Sequence, residues 1–138
     1  MVLFFSFGSL VNAQTLAEVQ LVTAIATELN PAIRLPSGSY RAVGEGSEQI
    51  IAKVDNAEGY TNWEVYTASG IIAALQPAFV QQLSTSLAGA GYFVVEQSEQ
   101  TIGAEKHTRY IFEDGLDTIL LYTIRTNYEF IWLVAKGV

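Results

Sequence analysis

The amino-acid sequence predicts an α+β domain, with two amphipathic helices packed on a mainly antiparallel sheet that ends in a four-stranded meander. Two observations carry this. Apolar residues recur at three- and four-residue steps in residues 15–29 and 77–87, and at alternate positions in nearly everything after Tyr92. Helical and strand periods that fall in blocks, rather than in strict alternation, point to segregated elements on an antiparallel sheet.

The first helix is justified by its start and its stripe. Thr15 and Glu18 have the spacing of a capping box, and Val19, Val22, Ile25, Ala26 and Leu29 fall on one face. Leu21 lies off that face, and Asn30-Pro31 ends the helix because proline disfavours helical geometry in the residue before it. Residues 31–48 read as a loop-rich passage with a short strand at 40–43. Residues 49–54 and 60–67 then read as an antiparallel hairpin about a turn at 55–59, with Trp63, Val65 and Thr67 on one side and Tyr66 on the other. Ser69-Gly70 punctuates the chain before a second helix. Pro77 suits that helix's first turn, Phe79, Val80, Leu83 and Leu87 form its buried stripe, and Gly89 and Gly91 close it.

The meander takes strands at 92–97, 105–113, 116–125 and 128–136. Asp114-Gly115 is a strong hairpin signal and Thr126-Asn127 a weaker one. Two-residue turns there would set Glu113 opposite Leu116 and Arg125 opposite Tyr128, which fixes the faces. One face carries Tyr110, Phe112, Ile119, Leu121, Tyr128, Phe130, Trp132 and Val134; the other carries Ile111, Leu120, Tyr122, Ile124, Ile131, Leu133 and Ala135. Both are apolar, so both need cover. If the two helices share a face, the aromatic side is left over, and rings that each bury about 150–250 Å² would expose more than a monomer tolerates. Tyr110, Phe112, Tyr128, Phe130 and Trp132 are then a ligand or partner face. If each helix takes a face, the same rings are ordinary core.

Composition bounds the function. The chain has 138 residues, half of them hydrophobic, which is one domain's worth and enough to bury a core. Its formal charge of -7 repels a phosphate backbone, so no nucleic-acid partner is expected. The seven basic residues are scattered, which gives no polybasic patch for an anionic membrane. The absence of cysteine excludes disulfides, thiolate metal sites and a thiol nucleophile. Residues 1–13 form an uncharged apolar run ending Val11-Asn12-Ala13, a small-x-small pattern read here as a signal peptide lacking its basic n-region. The run is too short to span a bilayer, so no stable membrane anchor is expected. The mature domain would be residues 14–138, secreted or periplasmic.

Catalytic signals are sparse. His107 is the one histidine; Ser69 lacks a nucleophile elbow; the acids around residues 113–117 and 55–58 match no calcium loop; Glu64 and Glu129 form no specific pair. The glycines at 44 and 46 lack the lysine of a phosphate loop, and no cofactor is implied. The reading is an exported, non-catalytic domain that binds a hydrophobic ligand or protein partner, or pairs with a second copy. The alternatives are a small carboxylate-dependent secreted hydrolase and an inhibitor of such a hydrolase. A pocket in which His107 reaches both a hydroxyl and a carboxylate would favour the hydrolase.

Overall fold

A computed structural model describes residues 2–4, 18–68, 71 and 73–138. Its elements are β1 (Val2–Phe4), β2 (Glu18–Thr23), β3 (Ser39–Val43), α1 (Glu45–Ile51), β4 (Tyr60–Ala68), a 3-10 turn (Ala73–Leu75), α2 (Gln76–Gly89), β5 (Phe93–Ile102), β6 (Glu105–Glu113), β7 (Thr118–Arg125) and β8 (Phe130–Gly137). They build one antiparallel sheet in the order β1-β2-β3-β4-β8-β7-β6-β5, seven strands of five residues or more with the three-residue β1 added at one edge. The chain descends from β2 to β4 and crosses through α2 to the far edge. It then meanders back from β5 until β8 closes against β4.

The expected layering needs correction. Strand outweighs helix, 47% against 21%, and the two helices are not those the periodicity predicts. The segment assigned to the first helix is instead β2 and the loop after it, as far as it falls within the described residues. The helical stripe fails on burial: Val22 and Ile25 are 50% and 64% exposed, whereas Leu21, the residue off the stripe, is 5% exposed and sits opposite Ala42. Branched side chains at Val19, Val22, Thr23, Ile25 and Thr27 favour extended backbone, and pairing with β3 decides the outcome. Thr15 of the proposed capping box, the proposed cleavage site and Ser69-Gly70 lie outside the described residues.

The strand expected at residues 49–54 is the end of α1 and its exit turn, where Ile50 and Val54, four residues apart, both face the core. Gly44 precedes α1 at φ +99°, a backbone region open chiefly to glycine. The hairpin expected between residues 49–54 and 60–67 is absent, and β4 pairs with β3 and β8 instead.

The second helix and the strands of the meander lie where they are predicted with ends shifted by one or two residues, except that β5 runs five residues past its expected end at 97. Both meander turns hold four residues, not two. Glu113 pairs with Thr118 and Arg125 with Phe130. In one, Asp114 Oδ1 accepts the main-chain N–H groups of Leu116 (2.9 Å) and Asp117 (2.7 Å); in the other, Thr126 Oγ1 accepts those of Tyr128 and Glu129. A slip of two residues leaves side-chain parity unchanged, so the two faces survive the error.

Each helix covers one face. α1 and its exit pack Ile50 and Val54 against Ile111, Leu120, Tyr122, Ile124, Ile131 and Leu133. α2 packs Phe79, Leu83 and Leu87 against Tyr66, Phe112, Ile119, Leu121, Phe130, Trp132 and Val134. Phe79 crosses Phe130 edge-on at 5.5 Å and meets Trp132 at 5.0 Å. The helices therefore do not share a face. Among the described residues no helix is long and apolar enough to cross a membrane.

Candidate functional site

α2 covers its face incompletely. Over β8 and the adjoining half of β7 the floor is apolar, but toward β5 it turns polar, with Thr108, Tyr110, Thr123, Arg125, Gln97 and Glu99 on the same side. A cavity of about 400 Å³ opens there between the floor and Pro77, Val80, Gln81 and Ser84 of α2. A second, of about 540 Å³, lies between the start of α2 and the turn at residues 126–128, with Lys106 in its wall. Pro77 and Arg125 line both cavities, so the two adjoin along α2 with Arg125 common to their walls. Lys106 sits opposite Arg125 across the β6–β7 ladder and is paired with Glu99 at 2.9 Å. Burial raises the pKa of the Tyr110 phenol, and the Arg125 charge opposes that shift, so the groove floor holds a protonated hydroxyl beside a fixed cation.

The five residues expected to form a contact face separate. Phe130 and Trp132 are 1% and 0% exposed beneath α2, which makes them core side chains. Phe112 is buried as well, but its edge and Tyr110 line the first cavity. Tyr128 is 89% exposed in the turn and lines the second. The polar half of the floor escaped the sequence reading, although the loss of apolar alternation at Lys106, Thr108, Thr123 and Arg125 marks where helical cover ends.

The opposite face holds a buried polar chain. His107 is 2% exposed; its Nδ1 lies 2.7 Å from the Tyr122 hydroxyl and its Nε2 lies 3.0 Å from Glu105 Oε1. Lys53 Nζ donates to Glu105 Oε2 at 2.7 Å. An ionised carboxylate only accepts, so His107 Nε2 carries the hydrogen toward Glu105 and, in the neutral ring, Nδ1 accepts from Tyr122. Burial raises the pKa of the Tyr122 phenol and keeps it a donor, while the Asp55 main-chain N–H and the Gln100 side chain approach its oxygen from the other side. A cavity of about 140 Å³ touches His107 and Tyr122 beneath Asp55, Gln100 and Arg109. This is less than half the lower bound of about 300 Å³ for an ordinary ligand pocket. Glu105 and His107 share a face because they are two apart on one strand, a parity legible in the sequence.

Glu64 is buried for another purpose. Its carboxylate accepts the main-chain N–H groups of Glu28 and Leu29, each at 3.0 Å, and the hydroxyl of Tyr66, so it ties the loop after β2 onto β4. Burial first, then the bond to Glu64, raises the Tyr66 pKa. Among the described residues no three histidine or acidic side chains converge as metal ligands, and Asp114 is committed to its own turn. Compared with known proteins, the chain matches no family model, no curated protein and no solved structure.

Proposed function

We propose that this chain is an exported binding domain whose groove along α2 takes a small amphipathic anion, and that it acts as a pair of copies without chemistry on its ligand. The observation that carries the reading is Arg125 in the walls of two adjoining cavities of about 400 and 540 Å³. In a chain of net charge -7, Arg125 and Lys106 lie side by side on one sheet face, and with Glu99 pairing Lys106 at 2.9 Å it is Arg125 that is left to meet an anion. A carboxylate or sulfonate matches the fork of Arg125. Tyr110, the edge of Phe112 and Val80 offer an apolar wall to the rest of such a ligand. Export rests on the apolar run at residues 1–13; its removal would take away the three-residue β1 at the sheet edge, and the competing reading of this run is a structural N-terminus that keeps β1 on β2.

The test is binding of anilinonaphthalene sulfonate and of medium-chain carboxylates to the native chain, followed by fluorescence and thermal shift. Saturation at about 100 times Kd should stabilise the fold by about 2.7 kcal/mol, and Arg125→Gln should weaken binding about tenfold or more. If no anionic amphiphile binds, or if Arg125→Gln binds as tightly as the native chain, the groove is not the site.

A second reading is favoured by the Tyr122–His107–Glu105 chain, which places a hydroxyl and a carboxylate on the two nitrogens of one imidazole. That is the arrangement a small hydrolase would need to move a proton. The cavity of about 140 Å³ beside it ranks this below binding.

A further inference from the structure

β5 is a ten-residue edge strand, paired with β6 on one side and with no strand on the other among the described residues, and all ten of its residues are exposed. Four of the chain's exposed large apolar side chains lie on it: Phe93, Val94, Val95 and Ile102, between 47% and 68% exposed. Edge strands are normally blunted by charge, proline or a bulge; this one holds no lysine or proline, and its charges, Glu96 and Glu99, are those that a second copy's amides can meet. Its one irregularity is a bulge between Val94 and Glu96, which leaves Val95 without a partner on β6.

We infer that a second copy of this chain pairs with this edge, β5 against β5, antiparallel about a two-fold axis at Ser98. The inference deepens the paired-copy half of the proposed function and rests on it. The sequence of the strand is self-complementary in that register. Antiparallel partners must lie on the same face of the joined sheet. The pairing with β6 puts Phe93, Glu96, Ser98, Gln100 and Ile102 on the α1 face and Val94, Gln97, Glu99 and Thr101 on the α2 face. With Ser98 opposite its own copy, Gln97 meets Glu99 and Glu96 meets Gln100. With Val95 bulged in both strands, Val94 meets Thr101 and Phe93 meets Ile102. All of these pairs are face-matched. Each carboxylate meets an amide that can donate to it, none meets another carboxylate, and the apolar ends meet each other. For a chain of net charge -7, this register avoids the like-charge opposition that would otherwise oppose association. Gln97, Glu99 and Val94 also line the first cavity, so the partner's strand would extend the wall of the ligand groove.

Three variants of the full chain test this, with sedimentation equilibrium and circular dichroism on each. Gln97→Glu sets two like-charged pairs across the axis and should raise the dimer Kd at least tenfold, whereas Gln97→Lys should lower it. Because the chain has no cysteine, Ser98→Cys introduces a single thiol opposite its own copy at about 4.5–5.5 Å between Cα atoms, within disulfide reach. It should yield a covalent dimer on mild oxidation. Gln97→Cys places the thiols on the diagonal at about 7–8 Å and should not. A dimer that is indifferent to Gln97→Glu and not cross-linked by Ser98→Cys overturns this edge while sparing self-association. A native-fold monomer at hundreds of micromolar overturns both.

Discussion

Glu64 and His107 are the two buried side chains whose chemistry could be more than structural, and their neighbours separate them. Glu64 accepts from two main-chain amides and a phenol, an arrangement that fixes a loop, although the residue also lines a cavity of about 350 Å³ with Arg41 and Lys136. His107 is also satisfied at both nitrogens, but its hydroxyl partner borders open space. Tyr122→Phe removes the donor to the buried Nδ1, together with the oxygen that Asp55 and Gln100 approach, and should cost about 1–3 kcal/mol in urea unfolding, the cost of leaving a buried polar group unsatisfied. His107→Gln should cost about 1–3 kcal/mol, because Glu105 then keeps Lys53 alone. If the network also moves protons, native protein will cleave activated esters faster than both variants. Equal rates in all three would end the hydrolase reading. The sequence showed that Glu105 and His107 share a face. It did not show that Tyr122 lies diagonally across, because that depends on whether the turn at Asp114 holds two residues or four.

At the scale of elements, what was legible depended on where local pattern and tertiary pairing agree. α2 has proline in its first turn, a buried stripe at Phe79, Leu83 and Leu87, and Gly91 at φ +96° just past its end, so each local choice points the same way. β2 shows the opposite. Its apolar residues fit helix and strand about equally, and the ladder with β3 decides. The aromatic face was readable because a two-residue slip preserves parity. Its exposure was not, since that depends on which face α2 crosses. Phe79 is the side chain that closes the face over Phe130 and Trp132. Phe79→Ala should cost about 3–5 kcal/mol and shift the Trp132 emission to the red as water reaches the indole. A loss under about 1 kcal/mol with unchanged emission would mean that Trp132 is not held under α2 as described.

For the molecule as a whole, stability with no disulfide rests on two apolar layers with polar phenols embedded in them. Tyr66 and Tyr110 lie on the α2 face and Tyr122 on the α1 face; the pKa of all three is raised, chiefly by burial. A raised acid pKa means that the native state keeps its proton after the unfolded chain has released it, so above about pH 10 the native state binds more protons and stability falls with rising pH. Each phenol that lags removes up to about 1.4 kcal/mol per pH unit, and only between its unfolded and native pKa values, so the fall is steepest where the buried Tyr66 and Tyr122 both lag. Against a total of about 5–15 kcal/mol, two such phenols remove a substantial part of the domain's stability. The expected result is a spectrophotometric titration in which about two tyrosinates, those of the buried Tyr66 and Tyr122, appear only together with the loss of circular dichroism. The urea midpoint should be flat between pH 7 and 9 as far as these phenols determine it, and should fall beyond. Ionisation of all seven tyrosines with the native spectrum intact would show that the phenols are reached by solvent without unfolding, and that the two layers do not seal the sheet.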